Sequence, residues 1–265
     1  MMLISSHSNA KIKQVRALRQ RKARQETGLF LVEGIRHIGE AVEAGADLDA
    51  IVYAPDLLDS EFAQKLVDDQ QRQGVACYAT TAEVFGSVAD KENPQGILAV
   101  ARRPQRRLAD LNAGSFPWGV ALVEPQDPGN VGTILRTVDA VGASGMLLLD
   151  SSVDPYHPSA VRASMGAIFW YPLVSASFSD FVGWARQQRY HIYGASARGS
   201  ADYRQVAGYQ RPCILLMGSE REGLSSEQAQ VCDLLVRLPM RGRTTSLNLA
   251  VATGVMLYQM LESSV

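Results

Sequence analysis

The second half of this chain carries a series of short apolar runs, at residues 120–123, 146–149, 169–174, 191–193, 213–217 and 234–238. Several are unbroken rather than alternating, as in strands buried on both faces of a parallel sheet. Helical patterns at 130–142, 178–188 and 225–231 fit between them. Strands alternating with helices imply an α/β layer fold with a mainly parallel sheet. Ligands in such sheets bind beyond the carboxyl ends of the strands, so the polar loops after the runs are where chemistry is expected.

The first half alternates more weakly. Residues 8–25 predict one basic helix capped by Asn9 or Ser8, and 29–32 a short strand. Helical periodicity over 35–44 ends at Gly45. A strand at 51–53, a helix at 59–73, a strand at 75–79, a helix near 81–86 and a strand at 97–101 complete a small α/β unit. Arginines at 102, 103, 106 and 107 with Pro104, then the polar stretch 112–117, read as a linker. In a chain of 265 residues this gives an N-terminal domain at 1–104, a linker at 105–117 and a second domain at 118–265.

The bulk chemistry excludes several classes. Hydrophobic content is 46% and charged content 20%, ordinary for a folded protein, and the net charge is −1. Overall charge therefore makes no case for nucleic acid, but its distribution does. Between Lys11 and Arg24 every charged residue is basic, and blocks of this kind neutralise phosphates even in a neutral protein. Cys77, Cys213 and Cys232 lie far apart without metal-ligand or disulfide spacing, so no metal site is expected and a reducing compartment fits. The chain has neither a secretory signal pattern nor a run of ~18 apolar residues. Cytoplasmic localisation without membrane association is the expectation.

Three strand-end loops stand out. The first, 124–136, holds Asp127-Pro128-Gly129, then Asn130 as a cap for the next helix, Gly132, and Arg136 nearly two turns in. In the second, Gly218-Ser219-Glu220 follows a buried strand, and Ser225 with Gln228 makes a capping box. The third, 238–248, runs through Met240 and Gly242 into hydroxyls, with Ser246 or Thr245 as the natural cap and Asn248 in the first turn. Asparagine is a poor helix former there, so its side chain has another use. Ordinary capping and loop chemistry explains each loop taken singly. The helix from Ser246 to about Glu262 is apolar around most of its circumference, which suits either a central core helix or one that also packs on a partner subunit. His157, between prolines, reads as structural. Dinucleotide, P-loop, nucleophile-elbow and zincin motifs are all missing.

Taken together the loops resemble the SpoU (TrmH-type) branch of the knotted SPOUT methyltransferases. The resemblance lies in 130–136 with Asp127-Pro128 and Gly132, in 218–224, and in Pro239-Met240 with Gly242 and Ser246-Leu247-Asn248. Arg162-Ala-Ser-Met-Gly-Ala167 is similar to a segment of ribosomal-RNA members, and 30–36 to the family's small, ribosomal-protein-like substrate-binding domain. The resemblance implies a C-terminal trefoil knot and S-adenosyl-L-methionine held around Met217, Gly218, Leu238, Met240 and Leu247. It also implies a homodimer formed through the C-terminal domain, with the site at the subunit interface. It assigns methyl transfer to a ribose 2'-OH to Arg136, with Asn130, Glu220, Ser246 and Asn248 around it. A free guanidinium is not a base, so Arg136 is expected to stabilise the developing alkoxide and the adjacent phosphate. Lys11, Lys13, Arg16, Arg36 and Arg162 are expected to contact RNA, ribosomal RNA in preference to tRNA. The competing readings are a tRNA ribose methyltransferase and a non-catalytic RNA-binding protein of ribosome assembly.

Overall fold

The computed structural model describes residues 3–90 and 93–263. In chain order, the first hundred residues form α1 (Ala10–Ala17), α2 (Arg21–Thr27), β1 (Leu29–Glu33), α3 (Ile35–Glu43), β2 (Leu48–Tyr53), α4 (Glu61–Arg72), β3 (Ala76–Ala79), α5 (Ala82–Gly86) and β4 (Ile97–Arg102). The remainder forms β5 (Trp118–Val123), α6 (Pro128–Ala140), β6 (Met146–Leu149), α7 (Pro158–Ala163), α8 (Ala167–Trp170), β7 (Leu173–Ala176), α9 (Phe178–Gln187) and β8 (His191–Ala195). It continues with β9 (Ala201–Asp202), β10 (Cys213–Met217), α10 (Ser226–Gln230), β11 (Leu234–Arg237) and α11 (Leu249–Glu262).

The chain divides into two compact units, Met1–Pro104 with Tyr156–Phe169, and Gln105–Pro155 with Trp170–Val265. This departs from a single cut near residue 104. The stretch 156–169, expected in the second domain, packs within the first unit. There Tyr156 sits 4.7 Å from the Phe30 ring and Phe169 stacks on Phe30 at 6.2 Å. Ala160 and Val161 are buried, and α7 lies on β1. Gly166 turns with φ +103, and a Cβ there would meet the Glu40 side chain at 2.7 Å, so only glycine fits. His157 caps α7 by accepting from Ser159 N.

The first unit's sheet runs β1-β4-β2-β3, with β4 antiparallel to both neighbours and β2 parallel to β3. The single basic helix expected over 8–25 is broken after Ala17. Arg24 closes the fold-back. Its guanidinium is buried and donates to the carbonyls of Leu18 and Arg19 at 2.8 Å, filling acceptors that the end of α1 leaves open. Asn9 caps α1, accepting from Lys11 N.

The second unit is built on a seven-stranded sheet ordered β7-β6-β5-β10-β8-β11-β9, with parallel pairing throughout the described ladders. The central strands β5 and β10 are buried along their whole length. The stretch expected as a linker belongs to this core. Leu111 and Phe116 pack with Phe181, Trp184 and Tyr190. Trp184 Nε1 donates to the Leu111 carbonyl at 3.1 Å, and Tyr190 OH to that of Phe116. The strand expected at 169–174 begins only at Leu173, because Phe169 serves the first unit's core while 167–170 coil into α8. The last helix, α11, packs on α6 and β10. Burial pushes the Cys213 and Cys232 thiols up to about 12, which leaves them protonated and inert.

Candidate active site

The carboxyl ends of β8, β10 and β11 open onto a cavity of about 420 Å³ in the second unit, within the usual range for a small-molecule site. Met217, Gly218, Leu238, Met240 and Leu247 all line it, as do Glu220 and Ser246. The wall is apolar at Met217, Val236, Leu238 and Leu249 and polar at Ser196, Ser219, Thr245 and Ser246. Leu247 leaves 40% of its surface uncovered there, apolar area that a planar ligand would remove from water. Gly218 is a close-approach residue: a Cβ would fall 2.0 Å from the Gly223 carbonyl carbon. Gly223 N donates back to the Ser219 carbonyl at 3.0 Å, so the loop closes on itself.

At this cavity's edge a hydrogen-bond chain joins three of the loops. Asn248 is the N-cap of α11, and its Oδ1 accepts from Ala250 N at 2.9 Å and Val251 N at 3.2 Å. Its Nδ2 donates to Asn130 Oδ1 at 2.9 Å. Asn130 Nδ2 donates to Glu220 Oε1 at 3.1 Å. The backbone amides of Gln126 and Asp127 add bonds of 3.0 and 3.3 Å to the same carboxylate. Backbone N–H groups can only donate, so the orientation of each amide follows in turn, and the chain must end on an ionised acceptor. Burial alone would raise the Glu220 carboxyl pKa. The donors from Asn130, Gln126 and Asp127 outweigh it and hold the group below its ordinary value.

Two expected caps are corrected by this network. Asp127, not Asn130, caps α6; Asn130 is one turn further on, 8% exposed, with its amide committed to the network. Asn248, rather than Ser246 or Thr245, caps α11. Ser246 instead lies exposed on the cavity wall. The capping box of Ser225 and Gln228 is present.

Arg136 stands apart. It is exposed on α6, is not among the cavity-lining residues, and its side chain has no partner among the described residues. A loop that sequence reasoning passed over, 195–200 after β8, supplies Ala195, Ser196, Ala197 and Arg198 to the wall. Its signal was available, since serines, an arginine and Gly199 follow a strand end there as in the other loops. Among the described residues no cluster of His, Cys, Asp and Glu is placed to hold a metal.

In the first unit the expected RNA contacts fall into two sets. Lys13 and Arg36 are exposed without a partner among the described residues. Arg16 donates to Ser87 Oγ and Arg162 pairs with Asp90. Lys11 is committed inside the unit, 3.1 Å from Asp49, with both side chains largely covered, and lies over the Tyr78 ring. Its charge is neutralised there, which corrects its expected role as a free phosphate contact.

A parallel α/β unit with polar loops converging on a strand-end cavity, preceded by a small mixed α/β unit, defines a two-unit α/β protein with a small-molecule-sized site at the strand ends. Residues 117–258 match the SpoU rRNA Methylase family, and residues 9–99 match the MRM3-like substrate binding domain. The chain belongs to the SpoU rRNA methylase family. It is 28% identical over 98% of its length to the 23S rRNA (guanosine(2553)-2'-O)-methyltransferase RlmP of Bacillus subtilis, covering 99% of that protein. It is 31% identical to the 23S rRNA (uridine(2479)-2'-O)-methyltransferase of Streptomyces viridochromogenes, covering 97% of this chain and 91% of that one. The AdoMet-bound rRNA methyltransferase of Sinorhizobium meliloti superposes with a TM-score of 0.90 at 34% identity, over 98% of this chain and 97% of that one.

Proposed function

We propose that this protein is a ribosomal-RNA ribose 2'-O-methyltransferase that uses S-adenosylmethionine. The observation that carries the reading is the strand-end cavity bordered by the Asn248–Asn130–Glu220 chain. S-adenosylmethionine supplies an activated methyl group when bound. Met217, Gly218, Leu238, Met240 and Leu247 would hold it, and the cavity's size and its apolar wall with a hydroxyl rim fit such a molecule. The full-length likeness to ribosomal-RNA enzymes supports that substrate over tRNA and over a non-catalytic role.

A ribose hydroxyl is a weak nucleophile, so the protein must align it and favour its loss of a proton. Glu220, kept ionised, pins the first loop, and Asn130 and Asn248 lock that loop to the start of α11. Arg136 stabilises the alkoxide that develops on the 2'-oxygen. Since Arg136 does not line its own chain's cavity, the reading includes a homodimer through the second unit, in which each Arg136 serves the partner's cavity. The outer face of α11 supports this. Val251, Val255 and Tyr258 recur along it at 53%, 37% and 50% exposure, an apolar stripe of the kind that marks an interface. The reading also includes a C-terminal trefoil knot in the second unit, with which the placement of β10 between β5 and β8 agrees. Among the described residues no helix is long and apolar enough to cross a membrane, and a ribosomal substrate supports a cytoplasmic location.

The test is labelled methyl transfer to separate rRNA and tRNA pools from a strain lacking this protein, followed by mapping of the modified ribose. Label at one ribose of rRNA is expected. Label confined to tRNA overturns the substrate, and no transfer to either overturns the activity.

A further inference from the structure

The second unit pairs many of its arginines and leaves others free. Arg186 pairs with Asp233, Arg204 with Asp202, Arg211 stacks on Trp118, and Arg237 donates to the Gly199 carbonyl. Arg198 and Arg221 line the strand-end cavity, are exposed, and have guanidinium groups with no partner among the described residues. They stand on the loops after β8 and β10, adjacent parallel strands, so they rise from one side of the same opening. The acidic side chains there do not quench them. Glu220 is held by Asn130 and two backbone amides. Glu222, next to Arg221 in sequence, makes no ion pair among the described residues. Arg241 and Arg243, on the loop between Met240 and Thr245, are likewise exposed and unpartnered.

Unpaired guanidinium groups around a cleft raise the local concentration of anions, and the planar fork of each suits the two free oxygens of a phosphodiester. A ribose within an RNA strand has a phosphodiester on either side of it. We propose that Arg198 and Arg221 grip the phosphates flanking the target ribose and so seat its 2'-OH at the mouth of the cavity. This rests on the methyl-transfer reading above. It adds a grip on the substrate backbone at the cavity itself, independent of base identity, where neither residue was expected from the sequence.

The experiment compares the full-length protein with Arg198→Ala, Arg221→Ala, the double alanine variant and the double lysine variant. The readouts are RNA affinity over a series of salt concentrations, S-adenosylmethionine affinity by calorimetry, and methyl transfer to rRNA. Each lost phosphate contact should lower the slope of log affinity against log salt by roughly 0.7. The double alanine variant should bind rRNA about tenfold more weakly at low salt, and equally so for unrelated RNA sequences, because phosphate contacts do not read bases. S-adenosylmethionine affinity should stay within about twofold, and the lysine variant should recover the slope but not the full rate. An unchanged slope in the double alanine variant overturns the proposal. So does a loss of S-adenosylmethionine affinity with RNA binding intact, which would reassign the arginines to the donor's carboxylate. A wild-type protein that methylates rRNA while the double variant keeps its salt slope removes this inference alone. A wild-type protein that methylates nothing removes the functional reading beneath it.

Discussion

Replacing Asn130 by aspartate exchanges one NH2 group for an oxygen with almost no change of shape, and it inverts the chemistry of one hydrogen bond. Asn130 Nδ2 lies 3.1 Å from Glu220 Oε1. Two carboxylate charges at that separation repel by about 5 kcal/mol at an effective dielectric of about 20, and partial solvent contact reduces this to about 3 kcal/mol. That repulsion holds one shared proton on the pair and raises one apparent pKa by about two units, at about 1.4 kcal/mol per unit. The wild-type linkage has the opposite sign. The Glu220 carboxyl is depressed below its ordinary 4.5, so its stabilisation is present above that value and lost as pH falls through the folded-state pKa. In Asn130→Asp the raised group binds its proton more tightly folded than unfolded, so stability is retained at low pH and lost as pH rises. Urea denaturation of both proteins at about pH 5 and about pH 8 measures the difference. The variant should lose about 1–2 kcal/mol at the lower pH, where the shared proton restores a donor, and about 2–3 kcal/mol more at the higher one. A penalty that is the same at both pH values would refute the close pairing of Asn130 with an ionised Glu220.

The other predictions concern the cavity and the proposed dimer. Arg136→Ala should keep S-adenosylmethionine affinity within about twofold while methyl transfer falls about 10²–10³-fold; unchanged transfer would remove Arg136 from the chemistry. Gly218→Ala forces its loop away from Gly223, where the new Cβ would sit 2.0 Å from a backbone carbon, and calorimetry should show at least about a tenfold loss of S-adenosylmethionine affinity. Mixing the Arg136→Ala and Gly218→Ala proteins should restore part of the activity, because a mixed dimer has one intact cavity facing one intact arginine; no recovery after subunit exchange would place Arg136 in its own chain's site. Tyr258→Glu puts a charge on the exposed stripe of α11 and should shift the protein to monomer in sedimentation, with activity lost in parallel.

The parallel sheet was legible because β5, β6 and β10 are unbroken apolar runs, a pattern that a two-sided burial leaves in sequence. Most of the cavity was legible because glycine, serine and charge crowd the loops after β10 and β11. What escaped was settled by partners distant in sequence. Ser246 is as good a cap as Asn248 by local rules, and the choice falls to Asn248, whose Nδ2 meets Asn130 across a separation of 118 residues. Arg24 looks like one more phosphate contact in a basic block, yet it is buried under the end of α1. Residues 105–117 look like a linker by composition, yet Leu111 and Phe116 are core. Lys11 is the same case, since its partner Asp49 carries no local signature. Arg198 was missed for a different reason: its loop has the right composition but is not among the segments on which the family resemblance rests.

The stretch 156–169 gives this protein a genetic property as well as a structural one. The first unit is not encoded by one continuous piece of gene, because part of its interior is written in the middle of the second unit's coding sequence. A recombination event at codon 104 would deliver a fragment in which Phe30 lacks both of its aromatic neighbours and β1 lacks the helix that covers it. Such a fragment leaves apolar surface in water that the full chain buries. No single cut in the gene therefore separates the two units with the interior of each intact.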